Sequence, residues 1–191
     1  MNQKNLLEVD WSKIPAPSDD GGAAHLKGMK IPSVSLRATD DTVVDLSQLA
    51  GRTVVFGYPR TGEPGKVALV DDWDMIPGAR GCTPQTCAFR DLFADLKAAG
   101  AAHVFGLSTQ SNDYQAEMAA RLHLPFPVLS DEKLELAGAL RLPTMEVADL
   151  TLMKRLALVV DDGRITHVFY PVFPPDRNAG DVLEWLKENP I

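Results

Sequence analysis

Apolar and polar positions change rhythm along the chain in a way that separates strands from helices. Residues 53–58, Thr53-Val54-Val55-Phe56-Gly57-Tyr58, and residues 103–107 are near-continuous apolar runs, the pattern of strands buried on both faces of a sheet. Shorter runs at 31–36 and 42–46, joined by Thr39-Asp40-Asp41, predict an N-terminal hairpin. Runs at 156–160 and 165–170 predict another around Asp161-Asp162-Gly163. Helical spacing sets in at Phe89, Leu92, Phe93 and Leu96 and ends at Gly100, then returns in Tyr114, Met118 and Leu122 behind a capping Ser111. A strand piece at 126–129 lies between prolines, and a short helix is expected over 133–141. A final helix over 176–189 turns Val182, Leu183, Trp185 and Leu186 toward the sheet. Strands that alternate with helices and end in a hairpin and a terminal helix predict a thioredoxin-like α/β sandwich, a central mixed sheet flanked by helices.

The first part of the chain lacks any such rhythm. Pro15, Pro17, Ser18, Asp19, Asp20, Gly21 and Gly22 mark residues 1–25 as an extension that wraps the domain or stays loose, with Leu6, Leu7, Val9 and Trp11 able to dock. Residues 26–191 then form one domain, with a long loop at about 60–80 between the central strand and the following helix. With 191 residues, 45% of them hydrophobic and 24% charged, the chain suits one domain with an ordinary core. A formal net charge of −7 argues against a nucleic-acid partner, which calls for a basic patch. There is no basic start followed by an apolar run, and no stretch nears the roughly 20 apolar residues that span a bilayer. The expected location is therefore the cytoplasm, with no membrane contact.

Chemistry concentrates in the stretch 78–91, which holds the chain's 2 cysteines, Cys82 and Cys87. Thr83 and Pro84 read as a helix start, since a hydroxyl can cap free amides and Pro is tolerated in the first turn. Cys82 then faces the positive end of the helix dipole, with Arg80 and Arg90 nearby, and the thiolate is favoured there. That makes Cys82 a candidate nucleophile. Cys87 lies further along the same helix. On ideal geometry the two Cα atoms are roughly 8 to 9 Å apart, beyond the roughly 7 Å limit for a disulfide, so the cysteines can bond only if the first turn unwinds. The plain alternative is a pair of half-buried core thiols. Zinc fits poorly, because no second Cys pair and no His stands at ligand spacing. His25, His103, His123 and His167 share no spacing and receive no role. Trp73, in the 60–80 loop, either covers a pocket or pins the loop.

Gly81-Cys82-Thr83-Pro84-Gln85-Thr86-Cys87-Ala88-Phe89-Arg90-Asp91 resembles the active-site helix of the peroxiredoxins, specifically the peroxiredoxin Q or bacterioferritin comigratory protein subgroup. The resemblance runs from about Leu26 to the C-terminus. It implies a thiol-dependent peroxidase for hydrogen peroxide and organic hydroperoxides, built on a peroxiredoxin-type fold. In that scheme Cys82 is oxidised to a sulfenic acid and Cys87 condenses with it. Thioredoxin or a similar dithiol reduces the intramolecular disulfide, and no metal, haem or flavin takes part. A monomer or weak dimer is expected. Tyr58-Pro59 resembles the family's aromatic-Pro before the active-site loop. Arg155 opens a segment resembling the strand that carries the family's active-site Arg; by its chemistry alone it reads as a solvated edge charge. Its planar fork could hold a thiolate and a peroxide oxygen together, which neighbouring Lys154 does less well.

The chain departs from the family pattern three residues before Cys82, where Ala79 stands in place of a Thr, and the 60–80 loop counts as an insertion. Thr61 or Thr83 could supply the hydroxyl, or it is absent; with Pro59 these are the candidate substrate-binding residues. Two other readings stay open. One is a dithiol oxidoreductase or peroxide sensor using the same pair, although a Cys-x-x-Cys would then be expected. The other is a non-catalytic binding domain.

Overall fold

The computed structural model describes residues 9–191, so Leu6 and Leu7 lie outside the described residues. Its elements are β1 (Leu36–Ala38), β2 (Val43–Val44), β3 (Arg52–Gly57), α1 (Cys82–Asp91), α2 (Phe93–Ala98), β4 (Ala101–Ser108) and α3 (Asn112–Arg121). After them come β5 (Val128–Ser130), α4 (Glu135–Leu140), β6 (Thr144–Val147), β7 (Leu150–Met153), β8 (Leu156–Asp161), β9 (Arg164–Phe169) and α5 (Asn178–Glu188). The main sheet has the order β2-β1-β5-β4-β3-β8-β9, with β3, β4 and β5 parallel and the other pairs antiparallel. This is the mixed sheet that the alternation of runs predicts. No helix among the described residues is long and apolar enough to cross a membrane.

Strand alternation divides the core between the two faces of the sheet. Val54, Phe56, Ala157 and Val159 meet Phe89, Leu96, Met118, Val182 and Leu186 from the helices on one face. Val55, Leu107, Leu158 and Val160 meet Leu26, Ile31, Leu136 and Leu140 on the other. Both β3 and β8 are buried along nearly their whole length, which explains why their sequences carry no polar alternation.

Two expectations are corrected, and one hairpin is added. The N-terminal hairpin keeps its second strand within 42–46, but its first strand forms at Leu36–Ala38 rather than over 31–36: Leu36 pairs with Val44 and Arg37 with Val43. The preceding residues run instead beside the other edge of the sheet, where Lys30 bridges Arg164 and the amide of Ile31 donates to Gly163 at 2.8 Å. Pro32 follows with no amide to donate, so the pairing ends there. The helix expected to continue to Gly100 breaks at Leu92, whose φ of −96° and ψ of 7° separate α1 from α2. The β6–β7 hairpin was not anticipated. Its turn residues Ala148 and Asp149 adopt φ of 48° and 61°, a conformation that Asn-Gly normally announces, so the sequence carries no turn signal.

Candidate active site

The helix that carries both cysteines is fixed to the sheet by an aromatic pair. Phe89 stacks on Phe56 of β3 with ring centroids 4.0 Å apart, and Phe126 meets Phe56 edge-on. Helix α1 begins at Cys82, but Thr83 does not cap it. Gly81 is the N-cap, at φ of 105°, with no side-chain capping bond. Glycine is required here twice over, by the positive φ and by crowding. A Cβ on Gly81 would lie 2.6 Å from Cγ of Pro175 and 2.7 Å from Cη2 of Trp11.

Cys82 is buried, and its Sγ lies 3.3 Å from Nη2 of Arg155, which donates to it. The thiol itself donates to the carbonyl of Ala79 at 3.6 Å. Arg155 stands between β7 and β8, 2% exposed, and is no solvated edge charge. Its Nη2 also donates to the carbonyls of Gly78, Ala79 and Arg80 at 3.1, 3.4 and 3.1 Å, which ties the end of the long loop to the same nitrogen. Its Nη1 donates to Oε1 of Gln85, and Gln85 in turn donates from Nε2 to Oδ1 of Asn178 at 2.9 Å. Neither Gln85 nor Asn178 was singled out by sequence reasoning. Lys154, by contrast, turns away to Asp20 at 2.6 Å.

Cys87 is also buried and unbonded, on the same helix. Burial pushes its thiol up; Arg90 pulls against this and Asp91 adds to it. Tyr58 is held far above the ordinary phenol range by burial and then by the charge of Cys82, so it stays neutral and donates to Oε1 of Gln115 at 2.8 Å.

The other candidates are placed differently. Pro59 is buried directly after β3, its carbonyl accepting from Oγ of Ser108 at 3.4 Å. The hydroxyl of Thr61 donates to Oε1 of Gln110 at 3.2 Å. Among the described residues, no hydrogen bond joins Thr61 or Thr83 to Sγ of Cys82. Trp73 pins the loop rather than covering a pocket, packed with Ala79, Val147 and Leu152. The described part of the extension, from residue 9, lies against the domain: Nε1 of Trp11 donates to Asp176 at 3.0 Å, and Tyr170 donates to Asp20 at 2.7 Å. A cavity of about 250 Å³ opens between Pro17, Asp20, Pro77, Met145 and Tyr170, with Arg155 as the wall it shares with the cysteine site.

The Redoxin family model matches residues 26–183. Peroxiredoxin Q, chloroplastic, of Oryza sativa subsp. japonica is 33% identical over 165 residues, which cover 84% of this chain and 66% of that protein. The chain thus spans about two thirds of the length of this relative. Peroxiredoxin Bcp of Escherichia coli (strain K12) is 31% identical over 163 residues, 83% of this chain and 93% of that one. The crystal structure of Peroxidoxin BcpB from Mycobacterium tuberculosis superposes with a TM-score of 0.69 at 25% identity, covering 87% of this chain and 100% of that one. With a thioredoxin-like sheet, a cysteine at the mouth of its helix and these relatives, the chain belongs to the Redoxin family, as a peroxiredoxin of the Q and Bcp kind.

Proposed function

We propose that this chain is a thiol-dependent peroxidase in which Cys82 reduces hydrogen peroxide and organic hydroperoxides. The observation that carries the reading is the Arg155 guanidinium 3.3 Å from Sγ of Cys82, at the N-terminus of α1. The cysteine sulfur attacks one peroxide oxygen; an S–O bond forms, the O–O bond breaks, and the departing oxygen takes a proton to leave as alcohol or water. Arg155 and the first-turn amides stabilise negative charge on the reacting atoms. Pro59 is assigned as a wall of the substrate site on the resemblance of Tyr58-Pro59 to the family's aromatic-Pro; it is buried two residues past the end of β3. Thr61 is a weaker candidate, its hydroxyl being engaged by Gln110, and Thr83 keeps its place on sequence adjacency alone.

Cys87 then attacks the sulfenic sulfur as a thiolate, forming an S–S bond and releasing water. An external dithiol such as thioredoxin returns two electrons and two protons by exchange, since the chain has 2 cysteines and no further redox pair. The bond lies within one chain, so a monomer suffices. A compartment that keeps dithiols reduced, such as the cytoplasm, suits the cycle.

The test is NADPH use by the purified protein with thioredoxin, its reductase and peroxide. Cys82→Ser should abolish it. Cys87→Ser should consume about one equivalent of peroxide per chain and stall as a sulfenic acid. Turnover by Cys82→Ser at the unmodified rate would overturn the assignment.

A further inference from the structure

Arg155 is a rigid fork on a flexible stem, and its use to the sulfur depends on how the fork is turned. Sγ of Cys82 and the three carbonyls of 78–80 all meet one nitrogen, Nη2, and so hold only that end of the fork. Nε is buried with no hydrogen-bond partner. The remaining nitrogen, Nη1, is held by Gln85. Gln85 therefore fixes the other end of the fork, and with Nη2 it completes the orientation of the guanidinium.

A glutamine amide can itself swing, and here it is locked. The guanidinium only donates, so Gln85 must face it with oxygen and turn Nε2 the other way. There Nε2 meets Oδ1 of Asn178 at 2.9 Å. Asn178 must face Gln85 with oxygen for the same reason, which leaves its own Nδ2 buried and unpaired. Gln85, Asn178 and Arg155 are 0%, 1% and 2% exposed. A buried unpaired donor is a cost to the fold, and here it accompanies the arrangement that turns the Gln85 oxygen to Arg155. Asn178 is the first residue of α5, directly after the turn whose Pro175 crowds Gly81. The backbone that carries the lock is thus seated against the start of α1.

We propose that Gln85 and Asn178 are positioning residues for the peroxidase reaction: Asn178 locks the amide of Gln85, and Gln85 completes the orientation of the Arg155 guanidinium against Sγ of Cys82. This rests on the roles given above to Cys82 and Arg155.

The test compares second-order rate constants for oxidation of Cys82 by hydrogen peroxide in the unmodified protein, Gln85→Leu, Asn178→Leu, the double variant, Gln85→Glu and Arg155→Ala. Melting temperature and the alkylation rate of Cys87 are followed alongside. Each leucine variant should react about tenfold more slowly or worse, the scale expected when a reacting group is misplaced. Cys87 alkylation should hold, and melting temperature should fall by only a few degrees, the cost of one buried donor left bare. The double variant should be no slower than Gln85→Leu, because both changes break one chain of bonds. Gln85→Glu should recover the rate: its carboxylate accepts from Nη1, and Asn178 can turn its amide to donate from Nδ2. Should Asn178→Leu fail to fold, Asn178→Ser removes the same lock with less bulk to fit. Asn178 variants that react at the unmodified rate while Arg155→Ala is slowed would overturn the proposal. So would a loss of rate that only tracks a loss of melting temperature. If Arg155→Ala itself reacts normally, the assigned role of Arg155 is what fails.

Discussion

Cys87 is the thiol whose state the fold controls most visibly. Burial pushes it up against the pull of Arg90, so it stays protonated while α1 is intact, although closing a disulfide requires its thiolate. In Cys82→Ser, alkylation of Cys87 by iodoacetamide should rise with pH and reach half its limiting rate above about 8.5, the ordinary cysteine value. A midpoint at or below that value would mean that the helix opens often enough for solvent to govern the thiol. The placing of Cys82 and Cys87 on one helix, with Arg155 beside Cys82, was legible in the sequence, because a Gly-Cys-Thr start, an Arg-Asp end and a strand-leading Arg make a pattern. Gln85 and Asn178 were not, since an amide pair 93 residues apart has no spacing to read. The surroundings of Thr61 were hidden for a related reason. A hydroxyl near the right place in sequence is bound in space to Gln110, a partner that no local rule names.

Among the elements, the extension is the one whose placement composition left open. Among its described residues, polar latches on Trp11 and Asp20 act beside the Trp11–Phe173 contact and the buried Ala23. Lys154 and then Tyr170 draw the carboxyl of Asp20 well below the usual carboxylate range, and Asp20 returns the effect by raising Tyr170, whose burial is the larger cause. The stabilisation is present above the unfolded carboxylate value, about 3.9, and is lost as pH falls through the lower folded value. At neutral pH the latch is therefore fully formed, and Asp20→Asn is the way to weaken it. The Lys154 and Asp20 side chains are 34% and 41% exposed, and such pairs are worth about 1 kcal/mol at most. Asp20→Asn should accordingly speed hydrogen exchange over residues 10–22 with little change in melting temperature. Unchanged exchange there would show that Trp11, on Asp176 and Phe173, holds the strap without Asp20. The β8–β9 hairpin and the central strands were readable because a Gly turn and unbroken apolar runs announce them. The β6–β7 hairpin hides behind Ala148-Asp149.

At the scale of the whole molecule, α1 is held in two different ways at its two ends. Its C-terminal half is anchored by Phe89 on Phe56, deep in the face of the sheet that the helices cover. Its first turn is held by Arg155, by Gln85 through Asn178, and by Trp11 and Pro175 crowding Gly81. Cys82 and Cys87 both lie within this continuous helix, where Cα atoms at that spacing are roughly 8 to 9 Å apart and a disulfide needs roughly 7 Å or less. Forming the proposed bond must therefore melt the end held by polar contacts, because unstacking Phe89 would expose core while releasing the first turn exposes mostly amides. The sheet has no reason to respond. β3 pairs with β4 on one side and β8 on the other, and neither ladder includes the cysteine segment. Hydrogen exchange at residues 82–87 should therefore accelerate on oxidation, while 52–57, 101–108 and 156–161 keep their protection. Part of the extension should follow, because Trp11 loses the turn it covers. Mass spectrometry would confirm the Cys82–Cys87 bond in the oxidised sample. Equal protection of 82–87 in both states, with that bond present, would mean that the cysteines meet without unwinding and that the intact helix is not the reduced resting form.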